Sequence, residues 1–370
     1  MRMRSNFLWA FTVVCFALPA VADEPEHASV VLREFIYSHE GAPFPGVHAS
    51  TIAETPGGLV TAFFGGTDEG ENDVGVWVSR QVDGKWTAPV EVANGIQHKS
   101  LRYPCWNPVL FQHPGGPLQL YYKVGPNPPG WWGMLTESTD NGATWSWPRR
   151  LPETIDGPVK NKPVLLANGD LLCGCSIEYD GWRVHFEITP DQGRTWERIG
   201  PINAKDEYTP IQPTILRHRD GSLQALSRTE MDGVVVSTRS TDNGRTWSKL
   251  EPAGLPNPNS GIDAVTLKDG RNLLIYNHTL RRIGNPRGRN MINLAVTKDG
   301  VHWEAALVVE VGQGEFSYPA IIQTADGLVH TTYTWRRQLV RHVVIDPDKL
   351  ELQPIVDGKW PGYPQAGIKE

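Results

Sequence analysis

One peptide occurs three times in this chain: Ser138-Thr-Asp-Asn-Gly-Ala-Thr-Trp145, Thr189-Pro-Asp-Gln-Gly-Arg-Thr-Trp196 and Ser240-Thr-Asp-Asn-Gly-Arg-Thr-Trp247. Two decayed copies flank it, Ser79 to Trp86 with Asp83-Gly84, and Thr297 to Trp303 with Asp299-Gly300. The terminal tryptophans at 86, 145, 196, 247 and 303 stand 59, 51, 51 and 56 residues apart. That period is close to the length of one four-stranded propeller blade, which restricts the chain to a radial all-β architecture. Within each copy the Asp is expected to cap a tight turn, the Gly to take a positive φ, and the Trp to pack back under the hairpin.

A second marker, a turn Gly followed by an apolar strand, recurs at Gly58-Leu59, Gly116 to Leu118, Gly169 to Leu171, Gly221 to Leu223, Gly270 to Leu273 and Gly327-Leu328. Each marks one blade. The last blade, from about Phe316 to Asp346, lacks its own Asp-turn peptide, while the apolar run Val30 to Tyr37 belongs to no blade. The expected fold is therefore a six-bladed β-propeller whose N-terminal strand completes the final blade and closes the ring, leaving no long exposed edge. Gly and Pro together supply 67 of 370 residues, which suits many short strands and turns. No linker or low-complexity segment separates the copies, so residues 23–370 are read as a single domain.

The first 22 residues are set apart. Arg2 and Arg4 precede the apolar stretch Phe7 to Ala20, and Ala20-Val21-Ala22 reads as a cleavage site. This is the pattern of a secretory signal peptide, so the mature chain is expected to be exported, to the periplasm or beyond the cell. No later segment approaches the roughly 20 apolar residues of a membrane span. A net charge of −6, or −8 once Arg2 and Arg4 are removed, gives no concentrated basic face for nucleic acid or anionic lipid. Cys15 leaves with the signal, and the odd set Cys105, Cys173 and Cys175 argues against a disulfide-built fold. Cys173 and Cys175 alternate with Gly174, so both point to one side of a strand, where they are expected as small packed residues.

Aligning the six copies on the turn Gly places equivalent residues around one mouth of the central channel. The first column, at the start of each inner strand, is His48, Asn107, Lys162, Gln212, Asp263 and Tyr318. A second column follows five residues after each repeat Leu: Phe64, Lys123, Ser176, Arg228, His278 and Tyr333. Lys123, Arg228 and His278, with Lys162 and His48 opposite, would form a local positive field inside an acidic protein. Such a cleft favours an anionic ligand, and the planar fork of Arg suits a carboxylate.

The Asp-turn peptides in a six-blade arrangement resemble the Asp boxes, or bacterial neuraminidase repeats, of the sialidase superfamily, across essentially the whole mature chain. That resemblance implies a substrate carboxylate held by three arginines, a Tyr nucleophile assisted by a Glu, and an Asp acid/base on a loop of the first blade. Tyr318, in Gly314-Glu-Phe-Ser-Tyr318-Pro, matches the nucleophile. Arg228 matches the second arginine, and Arg289 the third, with Arg287 as competitor in the Arg-rich loop Arg281 to Arg289. Asp73 stands where the acid/base is expected, in a loop that also carries Asp68, Glu69 and Glu71.

Two positions depart from the family pattern. His48 stands in place of the first arginine, and Gln212 in place of the Glu that activates Tyr. A phenol is a poor nucleophile at neutral pH unless a base or a positive field assists it, and a carboxamide accepts no proton. Asp263, on the blade next to Tyr318, is the remaining candidate base. His48 contacts an anion with a charge only when protonated. The resemblance therefore implies a divergent exo-glycosidase that releases an acidic sugar with retention. The alternatives are an inverting hydrolase or a lyase with His48 or Asp263 as base, or a non-catalytic propeller that binds a glycan. The loop Pro128 to Gly133, with Trp131 and Trp132, either stacks a sugar ring or anchors itself. In Trp182 to Glu187 strand alternation leaves open which polar residue faces the pocket. No HExxH, CxxC pair, phosphate loop or EF-hand pattern occurs, so neither a metal nor a nucleotide cofactor is expected.

Overall fold

A computed structural model describes residues 27–231, 233–281 and 287–363. The expected leader, residues 1–22, lies outside the described residues. Six antiparallel sheets form the six blades of a β-propeller. Their inner strands are Gly46–Thr55, Cys105–Gln112, Val164–Leu165, Pro210–Arg217, Asp263–Thr266 and Phe316–Gln323. Phe316–Gln323 packs against Gly46–Thr55 and closes the circle. The sixth blade takes its outermost strand, Val30–Phe35, from the N-terminal side of the chain, paired with Leu339–Ile345. Glu34 on that strand accepts from the Trp86 indole at 2.8 Å and lies 2.9 Å from Nδ1 of His342, tying blade 1 to blade 6. The first and fifth blades each gain a further short strand, and the fifth takes Gln353–Pro354. Among the described residues no helix is long and apolar enough to cross a membrane.

The repeated peptide folds as its residues dictate. In the second blade Asp140 accepts from the Thr144 amide at 2.8 Å and the Thr144 hydroxyl at 2.6 Å, while the Ser138 hydroxyl accepts from the Gly142 amide at 2.8 Å. The third and fourth blades repeat the arrangement at Asp191 and Asp242. The residue before the Gly also adopts a left-handed conformation, at Asn141, Gln192 and Asn243, with φ of 59°, 60° and 59°. The tryptophan reaches beyond its own hairpin: Trp247 stacks on Phe186 of the preceding blade, ring centres 3.8 Å apart and planes 8° from parallel. The peptide thus staples neighbouring blades as well as closing its own turn.

At the other end of the inner strands a β-bulge recurs. In blades 1, 2, 4 and 6 the register slips between His48 and Thr51, opposite Lys123 and Tyr121, between Ile211 and Thr214, and between Ser317 and Ala320. Each bulge carries one left-handed residue: Ala49, Asn107, Gln212 and Tyr318, with φ of 54°, 41°, 55° and 52°. Lys160 takes the same conformation at 68° before the short inner strand of blade 3. Left-handed non-glycine residues each cost about 1–3 kcal/mol and cluster where function requires them. The bulge corrects the sequence alignment by a residue or two. Asn107, Gln212 and Tyr318 are equivalent, but blade 1 offers Ala49 rather than His48, and blade 3 offers Lys160 rather than Lys162.

Candidate functional site

Tyr318 is buried at its bulge, and cations converge on it. The guanidinium carbons of Arg228 and Arg289 lie 5.3 and 5.6 Å from its ring centre, and Arg228 is within hydrogen-bonding reach of its hydroxyl. Both arginines donate to the carbonyl of Asn259, at 3.2 and 2.9 Å, so one backbone oxygen sets their spacing. Below the ring lies Lys160, whose buried ammonium donates to the carbonyls of Ile262 and Pro319. Gly261 permits this approach: a Cβ there would stand 3.1 Å from both Lys160 Cε and Tyr318 Cγ. Burial lowers the Lys160 ammonium to about 7, with Asp263 opposing the shift and Lys162 and Arg228 adding to it.

The third arginine at the site is Arg337, which the sequence reading missed. It sits with Arg336 at the tip of the hairpin joining Phe316–Gln323's partner strand Val329–Trp335 to Leu339–Ile345, both arginines left-handed at 61° and 54°. Its carbonyl accepts from the Val47 amide at 2.9 Å, which fixes it beside His48. Its guanidinium bridges Glu315 at 3.0 Å and Glu69 at 2.5 Å. Glu315 is the organiser, accepting also from Arg289 at 2.9 Å, Arg287 at 2.6 Å and the Ser317 hydroxyl at 2.7 Å. Burial alone would raise its carboxyl, but Arg289 and Arg337 outweigh that and hold it at about 2. An Arg-Arg pair at a hairpin tip, where Asn-Gly is usual, was the available signal for Arg337. Glu315 stood inside the segment already assigned to Tyr318.

His48 lies against Tyr318 with ring centres 4.1 Å apart. Its Nδ1 is 2.9 Å from the Thr334 hydroxyl. Burial, then the charges of Arg337, Arg289, Arg228 and Lys160, push the imidazole well below its usual range, so it is neutral and contributes no charge. Gln212 is buried, its side-chain oxygen without a partner among the described residues, while its backbone amide donates to the Ser176 hydroxyl at 3.2 Å. Asp263 is fully engaged. One oxygen accepts from the Thr214 hydroxyl and the Ala264 amide, the other from Lys162 and the Ile321 amide, each at 2.9 Å. With those bonds it ties its own blade to blades 3, 4 and 6, and Lys162 is its ion-pair partner. Asn107 occupies the blade 2 bulge, buried.

Three second-column residues lie away from this cluster. The Lys123 ammonium runs between blades 2 and 3 to the carbonyl of Pro158 at 2.9 Å. His278 follows the end of its strand, packs on Trp360 and reaches the Gly358 carbonyl at 2.8 Å. Tyr333 points to the opposite face and donates to Glu310 at 2.8 Å. In blade 6 the residue paired opposite Ser317 is Thr334, and a one-residue offset on a strand reverses the side chain.

Asp73 is exposed on the first-blade loop, its carboxylate accepting from the Thr67 amide at 2.9 Å and the Thr67 hydroxyl at 2.6 Å. Partial burial opposes the shift, but those bonds hold it below its ordinary range, in the ionised form. Asp68 and Glu69, with His48, Phe64 and Arg337, line a small cleft beside Tyr318. Across the mouth Glu178 faces Arg228, Glu230 and Glu69, and burial, reinforced by the two glutamates, raises its carboxyl. Rings lead outward from Tyr318 through His48, Phe64 and Trp106 to Trp131, with successive centres 4.1, 5.7, 6.3 and 6.2 Å apart. Trp132 instead anchors its loop against Tyr103 and Arg150. Trp182 lies under Arg228, 5.5 Å from its guanidinium.

The model for the BNR repeat-like domain family matches residues 57–331. A sialidase from Clostridium perfringens is 28% identical over 89 residues, covering 24% of this chain and 22% of that protein. Among solved structures, a protein of unknown function from Dyadobacter fermentans superposes with a TM-score of 0.69 at 19% identity, over 88% of this chain and 99% of its own. A Hadza microbial sialidase gives 0.71 at 17% identity, over 86% and 69%. The intramolecular trans-sialidase from Ruminococcus gnavus gives 0.67 at 14%, over 87% and 98%. At these identities the structural likeness establishes the propeller fold.

Proposed function

This chain belongs to the BNR repeat-like family within the sialidase superfamily, and from that premise we propose that it is an exported exo-glycosidase that releases a terminal acidic sugar with retention of configuration. The observation that carries this reading is the convergence of Arg228, Arg289 and Arg337 on a buried tyrosine. A guanidinium fork suits the carboxylate of an acidic sugar, which places the anomeric carbon against the Tyr318 oxygen. Arg337 supplies the charge that His48 does not.

Gln212 accepts no proton, so the phenol is activated by field rather than by a paired base. Three guanidinium groups converge on it, and charge developing on its oxygen is stabilised without reorganisation. The phenol proton passes to water at the mouth as the Tyr318 oxygen attacks, the glycosyl-tyrosine bond forms, and the departing glycosidic oxygen takes a proton from an acid on the rim. Glu178, raised by burial, suits that donation better than Asp73, which its own loop keeps ionised. Water then hydrolyses the intermediate with the same carboxylate as base. The aromatic path to Trp131 offers a stacking surface for the rest of the glycan.

Hydrolysis of aryl glycosides of sialic acid, a related ulosonic acid, glucuronic acid and rhamnose tests the proposal. Turnover of an acidic member, reduced about 10³-fold or more in Tyr318→Phe with folding intact, is the expected result. Unchanged turnover in that variant overturns the nucleophile assignment, and silence across the panel overturns the glycosidase reading.

A further inference from the structure

Away from the mouth, blade 3 carries a second chemical grouping that the glycosidase reading leaves unused. Strands Leu171–Ile177 and Arg183–Thr189 pair so that Cys175 stands opposite His185 and Cys173 opposite Glu187. Strand alternation puts all four side chains on one face, and all four are buried. One atom each from Cys175, His185 and Glu187 lies within 4.8 Å of the other two. Asp156, from the loop before blade 3, completes the group, its Oδ2 3.4 Å from the same His185 Nε2 that stands 3.0 Å from Glu187 Oε1.

We propose that Asp156, Cys175, His185 and Glu187 form a structural zinc site between blades 2 and 3. The 3.4 Å separation matches the ligand-to-ligand edge of a tetrahedral zinc centre, about 3.3 to 3.8 Å for bonds of about 2.0 to 2.3 Å; the 3.0 Å pair has to open by a few tenths of an ångström, and the Cys175 sulfur lies within 4.8 Å of the imidazole and Glu187 donors. One imidazole nitrogen carries at most one proton, so it cannot donate fully to both carboxylates that converge on it; a cation at their centre satisfies both. The donor set of one thiolate, one imidazole and two carboxylates suits a borderline-soft divalent ion. Charge also balances. The thiolate and two carboxylates leave one negative charge in excess around a divalent metal, and the buried Lys123 ammonium faces the same group. Binding releases the Cys175 thiol proton to solvent and takes the neutral His185 imidazole as its Nδ1–H tautomer, which leaves the Nε2 lone pair for the metal. The contiguous metal motifs sought in the sequence do not include this one, because its ligands come from paired strands and a separate loop.

The test uses the full chain, refolded under reducing conditions with zinc or with cobalt and then dialysed exhaustively. The expected result is about one metal per chain and, for cobalt, a thiolate-to-cobalt charge-transfer band that persists in Cys105→Ser and vanishes in Cys175→Ser. If Cys175→Ser fails to fold, His185→Gln replaces it, with loss of stoichiometric binding expected. Zinc should raise the thermal midpoint of the wild type and leave that of the ligand variant unmoved. Substoichiometric metal without the band, or a band that survives in Cys175→Ser, overturns the proposal.

Discussion

The two ends of the blades solve the same backbone problem in opposite ways. At the Asp-box turns, Asn141, Gln192 and Asn243 adopt left-handed conformations that side chains within the same eight-residue peptide support. At the channel mouth, Ala49, Asn107, Lys160, Gln212 and Tyr318 adopt the same conformation, but their supports come from other blades, as when Lys160 bonds to Ile262 at 102 positions' separation. The first set is uniform because its task is local and the same in blades 2, 3 and 4. The second has diverged because each position meets different neighbours. Repetition in a propeller therefore marks where stability is built, and departure from repetition marks where chemistry is placed.

That contrast sets up four substitutions. Arg228→Met should give the largest effect, lowering kcat/KM for an acidic glycoside about 10²- to 10³-fold, since it removes a desolvated cation beside the nucleophile. An equal loss on a neutral glycoside would break the link between this arginine and a carboxylate. Next come the two candidate acids: Glu178→Gln should lower kcat about 10²-fold on a substrate with a poor leaving group, and Asp73→Asn by much less. The reverse order would restore the first-blade loop to the role the family resemblance implies. At the far end, Asp242→Ala removes the bonds to Ser240 and Thr246 and should cost about 1–2 kcal/mol of stability in denaturant unfolding, with kcat unchanged. A change in kcat there would mean that the two ends are coupled.

The same contrast explains what was legible beforehand. Blade number and the Asp-box turns follow from residues that act on partners a few positions away, and ring closure from one apolar strand left without a blade of its own. Tyr318, Arg228 and Arg289 were legible because they sit in segments that resemble a family's own. Lys160 and Arg337 were not. A bulge that shifts the equivalent residue by one or two positions, and a hairpin tip that reaches Glu69 from 268 positions away, leave no local periodicity to read. Tyr333 shows the converse error, for counting from the repeat Leu landed one residue short of Thr334 and so on the wrong face of the strand.

The closing strand has a kinetic consequence. Glu34 and His342 meet across 308 positions, so blade 6 is assembled only when the two ends of the ring find one another. Contacts of such separation form late in folding and are the ones exposed when a chain opens partially. Blade 6 also carries Tyr318, Glu315 and Arg337. Catalytic competence is thus expected to be acquired last during refolding and lost first on unfolding, which would make activity a more sensitive reporter of ring opening than any bulk spectroscopic signal.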